Sequence, residues 1–337
     1  MRLVSKLLIV SAILFVLAII VINSEHDRIT TSFLNVPEEG VVYTVRQGSN
    51  LKQISRDLKE AGISDFPVNY LYAYGRFQNR AHLIKSGEYL IKPKTTMPEL
   101  LDQFTSGKVI QYSFTIVEGL TSQQLINSVI SDARFKKKLS KTTLTDAIVE
   151  LELPESHGEG EFLPETYFFT AETTDSELLQ RAHSMMISTL SHEWDNKAEN
   201  LPYKTPYEAL IMASIIEKET GIAEERSQIA GVFIRRLQKG MRLQTDPTVI
   251  YGMGDQYKGN IRRKDLRTDT PYNTYTRYGL PPTPIALPSK ESIHAALHPA
   301  DGKSLYFVAT GQDGRHIFSN TLTAHNKAVR KYQLKKK

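Results

Sequence analysis

Residues 205–221 read TPYEALIMASIIEKETG. Thr205-Pro-Tyr-Glu208 has the T-x-x-E form of a capping box, with proline at the first helical position. From Ala209 to Ile216 the side chains are apolar or small in every direction, so a helix here is buried on several faces. Gly221 fits the position just past a helix end. A second helix is expected over about 223–239, with Ile229, Val232, Phe233 and Leu237 on one face and Gly240 closing it. Two carboxylates, Glu217 and Glu219, therefore fall in the last turn of a buried helix. A buried, unpaired carboxylate is costly and tends to stay protonated, which suits a general acid.

At 100° per residue the two glutamates point about 200° apart and cannot both face one cleft. Glu217 shares its face with Leu210, Ala213 and Ser214, whose small members leave room beside it. Glu219 lines up with Met212 and Ile215. This favours Glu217 as the catalytic acid and leaves Glu219 a supporting or substrate-binding place. The alternative is that both glutamates form ion pairs with Arg235, Arg236 or Arg242.

The chain has 337 residues, enough for two domains, with 40% apolar and 23% charged residues, which is ordinary globular composition. It has no cysteine, so neither a disulfide framework nor a thiolate metal site is open to it. The formal charge is +5, but Arg2 and Lys6 at one end and Arg330, Lys331, Lys335, Lys336 and Lys337 at the other supply seven positive charges; taking them away leaves the body at −2. No basic, aromatic patch is present, and nucleic acid is not an expected partner. The C-terminal lysines read as a frayed, solvated end.

Leu7–Ile22 is apolar apart from Ser11. As a helix it covers about 24 Å, or about 28 Å counted from Val4, against a hydrocarbon core of roughly 30 Å. Arg2 and Lys6 precede it while Glu25 and Asp27 follow, so the N-terminus is expected in the cytoplasm and the rest of the chain outside. No A-x-A-like cleavage site follows, which favours an uncleaved anchor over a signal peptide. The expected organisation is a cytoplasmic tail over 1–6, a single-pass anchor over 7–23, a polar linker from 24 to about 40, a small unit over 41–93 and a larger domain over 108–332. The overall class is α+β.

In the small unit, Val41–Arg46 reads as a strand. Ser49 is a candidate cap for a helix over about 50–61 with Leu51, Ile54 and Leu58 inward, and SGEYLIKP at 86–93 as turn, strand and stop. This β-α-β pattern resembles a LysM-type glycan-binding module, with a longer gap before the last strand than is usual. Beyond it come a short helix from Pro98 to Gly107, an alternating strand over 109–117, a second capping box at Thr121–Gln124, a helix over 140–153, and the glycine-rich loop SHGEGEFLPETYFF at 156–169. A long helix holding Trp194 precedes the Glu217 helix. After residue 240 the chain is turn-rich with several tyrosines, and it closes with a hairpin over 305–319.

Tyrosines with threonine, asparagine and aspartate beside a buried acid suit a sugar, because aromatic faces pack on pyranose rings while amides and hydroxyls bond ring hydroxyls. The wording of the motifs is more specific. ASIIEKETG at 213–221, RLQKGMRLQTDPTVIYGMG at 236–254, TPYNTYTRYGLPPTPIALP at 270–288 and AALHP at 295–299 resemble the MltG (YceG-like) family of endolytic murein transglycosylases. The likeness runs from the apolar segment to about residue 332. GEGEFLPETYFF fits less closely, with Glu161 where the family usually has an aromatic and Glu165 where aspartate is common.

The resemblance implies a membrane-anchored enzyme, with no cofactor, that cuts peptidoglycan glycan strands between N-acetylmuramic acid and N-acetylglucosamine. It implies that Glu217 protonates the glycosidic oxygen and then accepts the proton of the muramic 6-hydroxyl as that oxygen attacks the anomeric carbon, leaving a 1,6-anhydromuramyl end. The substrate supplies its own nucleophile, so no second carboxylate is needed, unlike the two-carboxylate glycosidases. Action on nascent strands to terminate elongation, and penicillin-binding proteins or other wall-synthesis enzymes as partners, are part of the same implication. Two other readings stay open: a non-catalytic peptidoglycan-binding scaffold, and a hydrolase that leaves reducing ends.

Gln244, Thr245, Asp246, Tyr272, Asn273, Thr274 and Tyr275 are the expected cleft-lining residues; Asp246 can equally form a turn before Pro247. His294-x-x-x-His298 has metal spacing but lacks the glutamate of H-E-x-x-H and abuts Pro299, while His192-Glu193 has Asn196 where a second histidine would stand, so no metal is expected. The variant Glu217→Gln is expected to fold and to lose cleavage.

Overall fold

The structure is a computed structural model and describes residues 2–153, 157–311 and 313–334. Ser156, Lys335, Lys336, Lys337 and the side chain of Arg2 lie outside the described residues. The fold mixes helix and sheet, as expected of an α+β chain, and begins with an apolar helix. It divides into two compact units, Met1–Tyr112 with Phe169–Glu172, and Ser113–Phe168 with Thr173–Lys337.

The first unit opens with α1 (Arg2–Thr31). Its Lys6–Thr31 portion is long and apolar enough to cross a membrane, and none of its most apolar stretch is buried in the protein. The helix does not stop at the expected linker. Glu25 and Arg28 form an i,i+3 pair at 3.7 Å, and the Thr30 and Thr31 hydroxyls donate to carbonyls one turn back. This last part also touches the unit beneath. Tyr70 Oη donates to Glu25 Oε2 at 3.2 Å, the Arg28 guanidinium lies 5.8 Å from the Phe66 ring centre, and Ile29 packs on the core.

Next come β1 (Val41–Val45), α2 (Leu51–Glu60), α3 (Val68–Phe77), β2 (Gly87–Ile91) and α4 (Met97–Ser106). Asn50, not Ser49, caps α2, in a reciprocal box with Gln53. Between the strands there are two helices where the pattern indicated one; α3 fills the long gap, and its aromatic, glycine-containing sequence hides the apolar period. β1 and β2 pair antiparallel from Val41↔Ile91 to Val45↔Gly87. Leu51, Ile54, Leu58, Leu71, Tyr89, Ile91, Leu100 and Phe104 form the core. Tyr89 is fully buried because its hydroxyl donates to the carbonyls of Lys85 and Phe104, at 2.8 and 3.2 Å.

The second unit contains β3 (Tyr112–Thr115) paired with β4 (Thr166–Phe169), α5 (Ser122–Ser131), α6 (Leu144–Glu150), α7 (Asp175–Asp195), α8 (Pro206–Glu219), α9 (Arg226–Gln238), α10 (Asp246–Met253), α11 (Lys290–Leu297), the antiparallel hairpin β5 (Tyr306–Ala309) and β6 (His316–Ser319), and α12 (Leu322–Tyr332). α8 is the hub. Every residue from Ala209 to Ile216 is buried, and the helix packs against α11, α9, α7 and α10. Only half of its capping box forms: Thr205 accepts Glu208 N–H, while the Glu208 carboxylate accepts from Lys204 N–H. Gly221 does not take the left-handed turn, because Thr220 ends the helix in extended conformation. α6 is shorter than the expected 140–153, starting at the Thr143 cap. α10 was hidden in the turn-rich stretch by its proline and glycine.

The GEGEF loop is held by its acids. The buried Glu159 carboxylate accepts from Ser122 N–H at 2.8 Å, at the start of α5, from Gly160 N–H at 3.2 Å, and from Tyr251 Oη–H of α10 at 3.0 Å. Glu161, also buried, accepts from His157 N–H and faces His183 Nε2 at 3.4 Å. Between them Gly160 has φ +77°, and a Cβ there would stand 2.4 Å from Pro284 Cβ. Gly160→Ala combines a left-handed residue with overlap in a packed site and is expected to destabilise the protein by about 2–4 kcal/mol. Denaturant unfolding of the two proteins measures it, and an unchanged midpoint would contradict this account of the loop.

Candidate active site

The end of α8 sends its two glutamates to different places, as the helical spacing requires. Glu217 Oε2 accepts from both Ser289 N–H, at 2.8 Å, and Ser289 Oγ–H, at 2.5 Å. Ser289 is the N-cap of α11, and its hydroxyl oxygen also accepts from Ser292 N–H. Glu217 thus ties the start of α11 to the end of α8. Nearby, Ser214 Oγ accepts from Ile285 N–H at 3.0 Å, so the face that left room for a ligand is filled by the 284–289 segment instead.

Glu219 lies on the other side and lines a cavity of about 510 Å³, within the range of small-ligand sites. Its Oε1 accepts a short hydrogen bond from Thr245 Oγ1. The residue is half-buried by surface, yet protein surrounds the carboxyl, and loss of solvent pushes its pKa up from 4.5 to about 7. The Thr245 bond opposes the rise, the Asp246 carboxylate adds to it, and His316 and Arg236 oppose it. At neutral pH this acid is therefore protonated in a large fraction of molecules. The structure puts Glu219, not Glu217, on the wall of this cavity.

Of the other expected lining residues, Gln244, Thr245, Asp246 and Tyr275 line this cavity with Glu219. Asp246 is the first residue of α10 and not a turn; its Oδ1 accepts from Tyr275 Oη–H at 2.6 Å. Burial first, and then that bond, raise the Tyr275 pKa, keeping the phenol a donor. Gln244 holds φ +50°, with its N–H donating to the Thr274 carbonyl at 3.2 Å. A non-glycine residue in this region stores strain at the rim of the site.

Tyr272, Asn273 and Thr274 are not on the wall. Asn273 is buried, donating to the carbonyls of Asp265, Leu266 and Thr268 and accepting from Tyr275 N–H. Thr274 Oγ1 accepts from Thr245 N–H at 3.1 Å and lies 2.9 Å from Thr248 Oγ1. Tyr272 packs edge-on against Tyr251 at 4.9 Å, and its hydroxyl meets Thr283 Oγ1. These three hold the 244–246 and 275 segments in position.

The opposite wall comes from the C-terminal hairpin and α12, which sequence reasoning did not connect with the site. Tyr306, His316 and His325 line it together with Arg236 of α9. Arg236 does not pair with either glutamate of α8. It donates through Nε to the Leu305 carbonyl at 2.7 Å and through Nη1 to the Leu243 carbonyl at 2.7 Å, and its guanidinium stacks 5.0 Å from the Tyr306 ring centre. Arg235 likewise donates to carbonyls of Ser304 and Ala300, and Arg242 lies over Tyr278. His316 donates or accepts at Nδ1 against Glu225 Oε2 at 2.8 Å, and its backbone N–H donates to the same carboxylate. His316 is 97 positions from Glu219, and nothing in its local pattern (a short strand after a glycine turn) marks it for this wall.

Comparison with known proteins agrees with this architecture. The YceG-like family matches residues 43–331. The chain is 32% identical over 326 residues to an endolytic murein transglycosylase of Bacillus subtilis (strain 168), covering 91% of this chain and 86% of that protein. It is 28% identical over 322 residues to an endolytic murein transglycosylase of Streptococcus pneumoniae serotype 2, covering 86% of this chain and 58% of that longer protein. A crystal structure of a YceG-like protein from Listeria monocytogenes superposes with a TM-score of 0.51 at 28% identity, over 86% of this chain and 99% of that one. With a family match across most of its length, a relative above 30% identity and a shared fold, the chain belongs to the YceG-like family.

Proposed function

We propose that the protein is a peptidoglycan lytic transglycosylase and that Glu219 is its acid. The observation that carries this reading is the position of Glu219: a carboxyl with a pKa near 7 on the wall of a polar cavity, in a family whose curated relatives are named for murein transglycosylation. Protonated Glu219 donates to the glycosidic oxygen between N-acetylmuramic acid and N-acetylglucosamine as that bond breaks. The carboxylate then takes the proton of the muramic 6-hydroxyl, whose oxygen bonds the anomeric carbon. The product is a 1,6-anhydromuramyl end and no water is consumed. One group that cycles between acid and base has its best pKa near the working pH. Thr245 holds its carboxyl oriented, and Asp246 with Tyr275 offers a fixed hydroxyl–carboxylate pair for ring hydroxyls or an N-acetyl group. Glu217 holds α11 and does not enter the chemistry.

The finer organisation follows the same reading. α1 anchors the chain in the inner membrane with its N-terminus in the cytoplasm, and residues 108–332 form the catalytic domain outside. The two-stranded, two-helix unit over 41–93 serves as a LysM-like glycan-binding module; its strand–helix–helix–strand order supports this proposal. Cleavage of nascent strands beside wall-synthesis enzymes such as penicillin-binding proteins fits such a topology.

The deciding experiment incubates full-length, detergent-solubilised wild type, Glu219→Gln and Glu217→Gln with purified peptidoglycan and reads product ends by mass spectrometry. Anhydromuramyl ends are expected from wild type and Glu217→Gln, with at least a 10²-fold lower rate for Glu219→Gln. Cleavage retained by Glu219→Gln would remove it from the mechanism; reducing ends would mean a hydrolase; binding without cleavage by all three would mean a scaffold. The wild-type rate should fall as pH rises above about 7, where Glu219 loses its proton.

The same group sets a pH-dependent stability. Its folded pKa of about 7 lies above the ordinary 4.5, so between these values the folded state binds more protons than the unfolded. Stability then falls as pH rises through that window, by at most about 3 kcal/mol. Glu219→Gln lacks this penalty. Its melting temperature relative to wild type is therefore expected to be higher at pH 8 than at pH 5, and a pH-independent difference would contradict the assigned shift.

A further inference from the structure

Two fragments of metal motifs, each incomplete in sequence, meet in the fold. Glu193 sits near the end of α7, and His294 and His298 lie on the last turn and C-cap of α11. Glu193 Oε2 is 2.8 Å from His294 Nδ1 and 3.8 Å from His298 Nδ1. One ligand atom from each of the three residues lies within 4.8 Å of the others. The imidazoles stack with centroids 4.1 Å apart and planes 18° from parallel, so both present Nδ1 to the same carboxylate.

Two backbone carbonyls also meet the His298 ring. Its Nε2 is 2.9 Å from the carbonyl oxygen of Asn196, the residue that spoiled the other fragment. The His294 carbonyl oxygen lies 3.2 Å from Nδ1 of the same ring, so both ring nitrogens face an acceptor; the Asn196 contact is the shorter, and metal binding would turn Nδ1 from the His294 carbonyl to the ion. Metal-ligating histidines are commonly oriented by such a bond from the far ring nitrogen. The three side chains border a cavity of about 620 Å³ that leaves an approach from solvent. Lys290 and Arg226 also line it; the Lys290 ammonium is drawn to Glu165 Oε2 at 3.3 Å, and Glu291 stands on the same wall.

We propose that Glu193, His294 and His298 bind one divalent transition cation of the zinc class. Two imidazole nitrogens and one carboxylate oxygen with an open fourth position suit Zn²⁺, Ni²⁺ or Co²⁺, whereas Mg²⁺ and Ca²⁺ prefer oxygen donors throughout. Binding displaces any proton shared between Glu193 and His294. The ion bridges the end of α7 to the end of α11 and so clips together two helices that pack against each other. This inference stands apart from the proposed reaction, which uses neither the site nor a metal.

The test uses untagged full-length protein in detergent, stripped with chelator and dialysed against ZnCl₂, with bound metal measured by elemental analysis and melting temperature recorded in parallel. One zinc per chain with a micromolar Kd is expected, together with a rise in melting temperature of several degrees at saturation. His294→Ala and Glu193→Gln should each weaken binding at least tenfold and abolish the rise, while melting close to wild type without zinc; MgCl₂ should give no rise. Wild type that remains metal-free at 100 µM ZnCl₂, or variants that bind as tightly as wild type, would overturn the proposal.

Discussion

Taking a carboxylate out of water costs several kcal/mol, and the last residue of a helix is an unfavourable place to do it, because the unpaired carbonyls there add negative potential. Glu219 occupies that place at the end of α8. Burial raises its pKa, and among the described residues no cation is bonded to it. Arg236, a candidate for an ion pair, directs its donors to the Leu305 and Leu243 carbonyls, and the partner given to Glu219 is the neutral Thr245 hydroxyl. A guanidinium bound directly to the carboxyl would have fixed it as an anion. Thr245, Asp246 and the His316 strand stand around this group and leave it on a cavity wall.

That arrangement explains why so many polar residues near the cavity never touch it. Asn273 and Thr274 hold together loops that carry no regular structure of their own, and buried amides and hydroxyls of this kind are tolerated because their donors and acceptors are matched. Glu159 does the same for the GEGEF loop, and burial raises its pKa, although it bonds backbone amides and Tyr251 and is almost fully buried. A raised pKa marks an enclosed carboxyl; accessibility separates Glu219 from Glu159.

The helical core of the second unit could be read from sequence because it obeys local rules: the Thr205 cap, the all-apolar run of α8 and the single apolar face of α9 each carry their own signal. The divergence of the two glutamates was legible too, since it follows from helical pitch alone. Which of them faces a cavity was not, because that depends on what packs against each side. Ser289, 72 positions after Glu217, fills one side, and the hairpin near His316 leaves the other open. The same limit applies to the histidines. Each fragment obeys a local spacing rule and fails it, and only the pairing of α7 with α11 brings Glu193 to His294. In the small unit, the strands and α2 showed their periods, while α3 lacked a clean apolar stripe.

The continuity of α1 bears on reach. Asn23–Thr31 adds nine helical residues beyond the apolar run, about 13 Å of rigid rise. As a disordered leash the same residues would span roughly 16 Å on average but in every direction. A helix packed at its end through Glu25, Arg28 and Ile29 acts as a stanchion, not a tether. In a chain anchored as proposed, the small unit is then held at one height above the bilayer. If the unit binds glycan as proposed, strands passing at that height meet it without the orientational search a leash would impose, and strands lying farther out do not meet it.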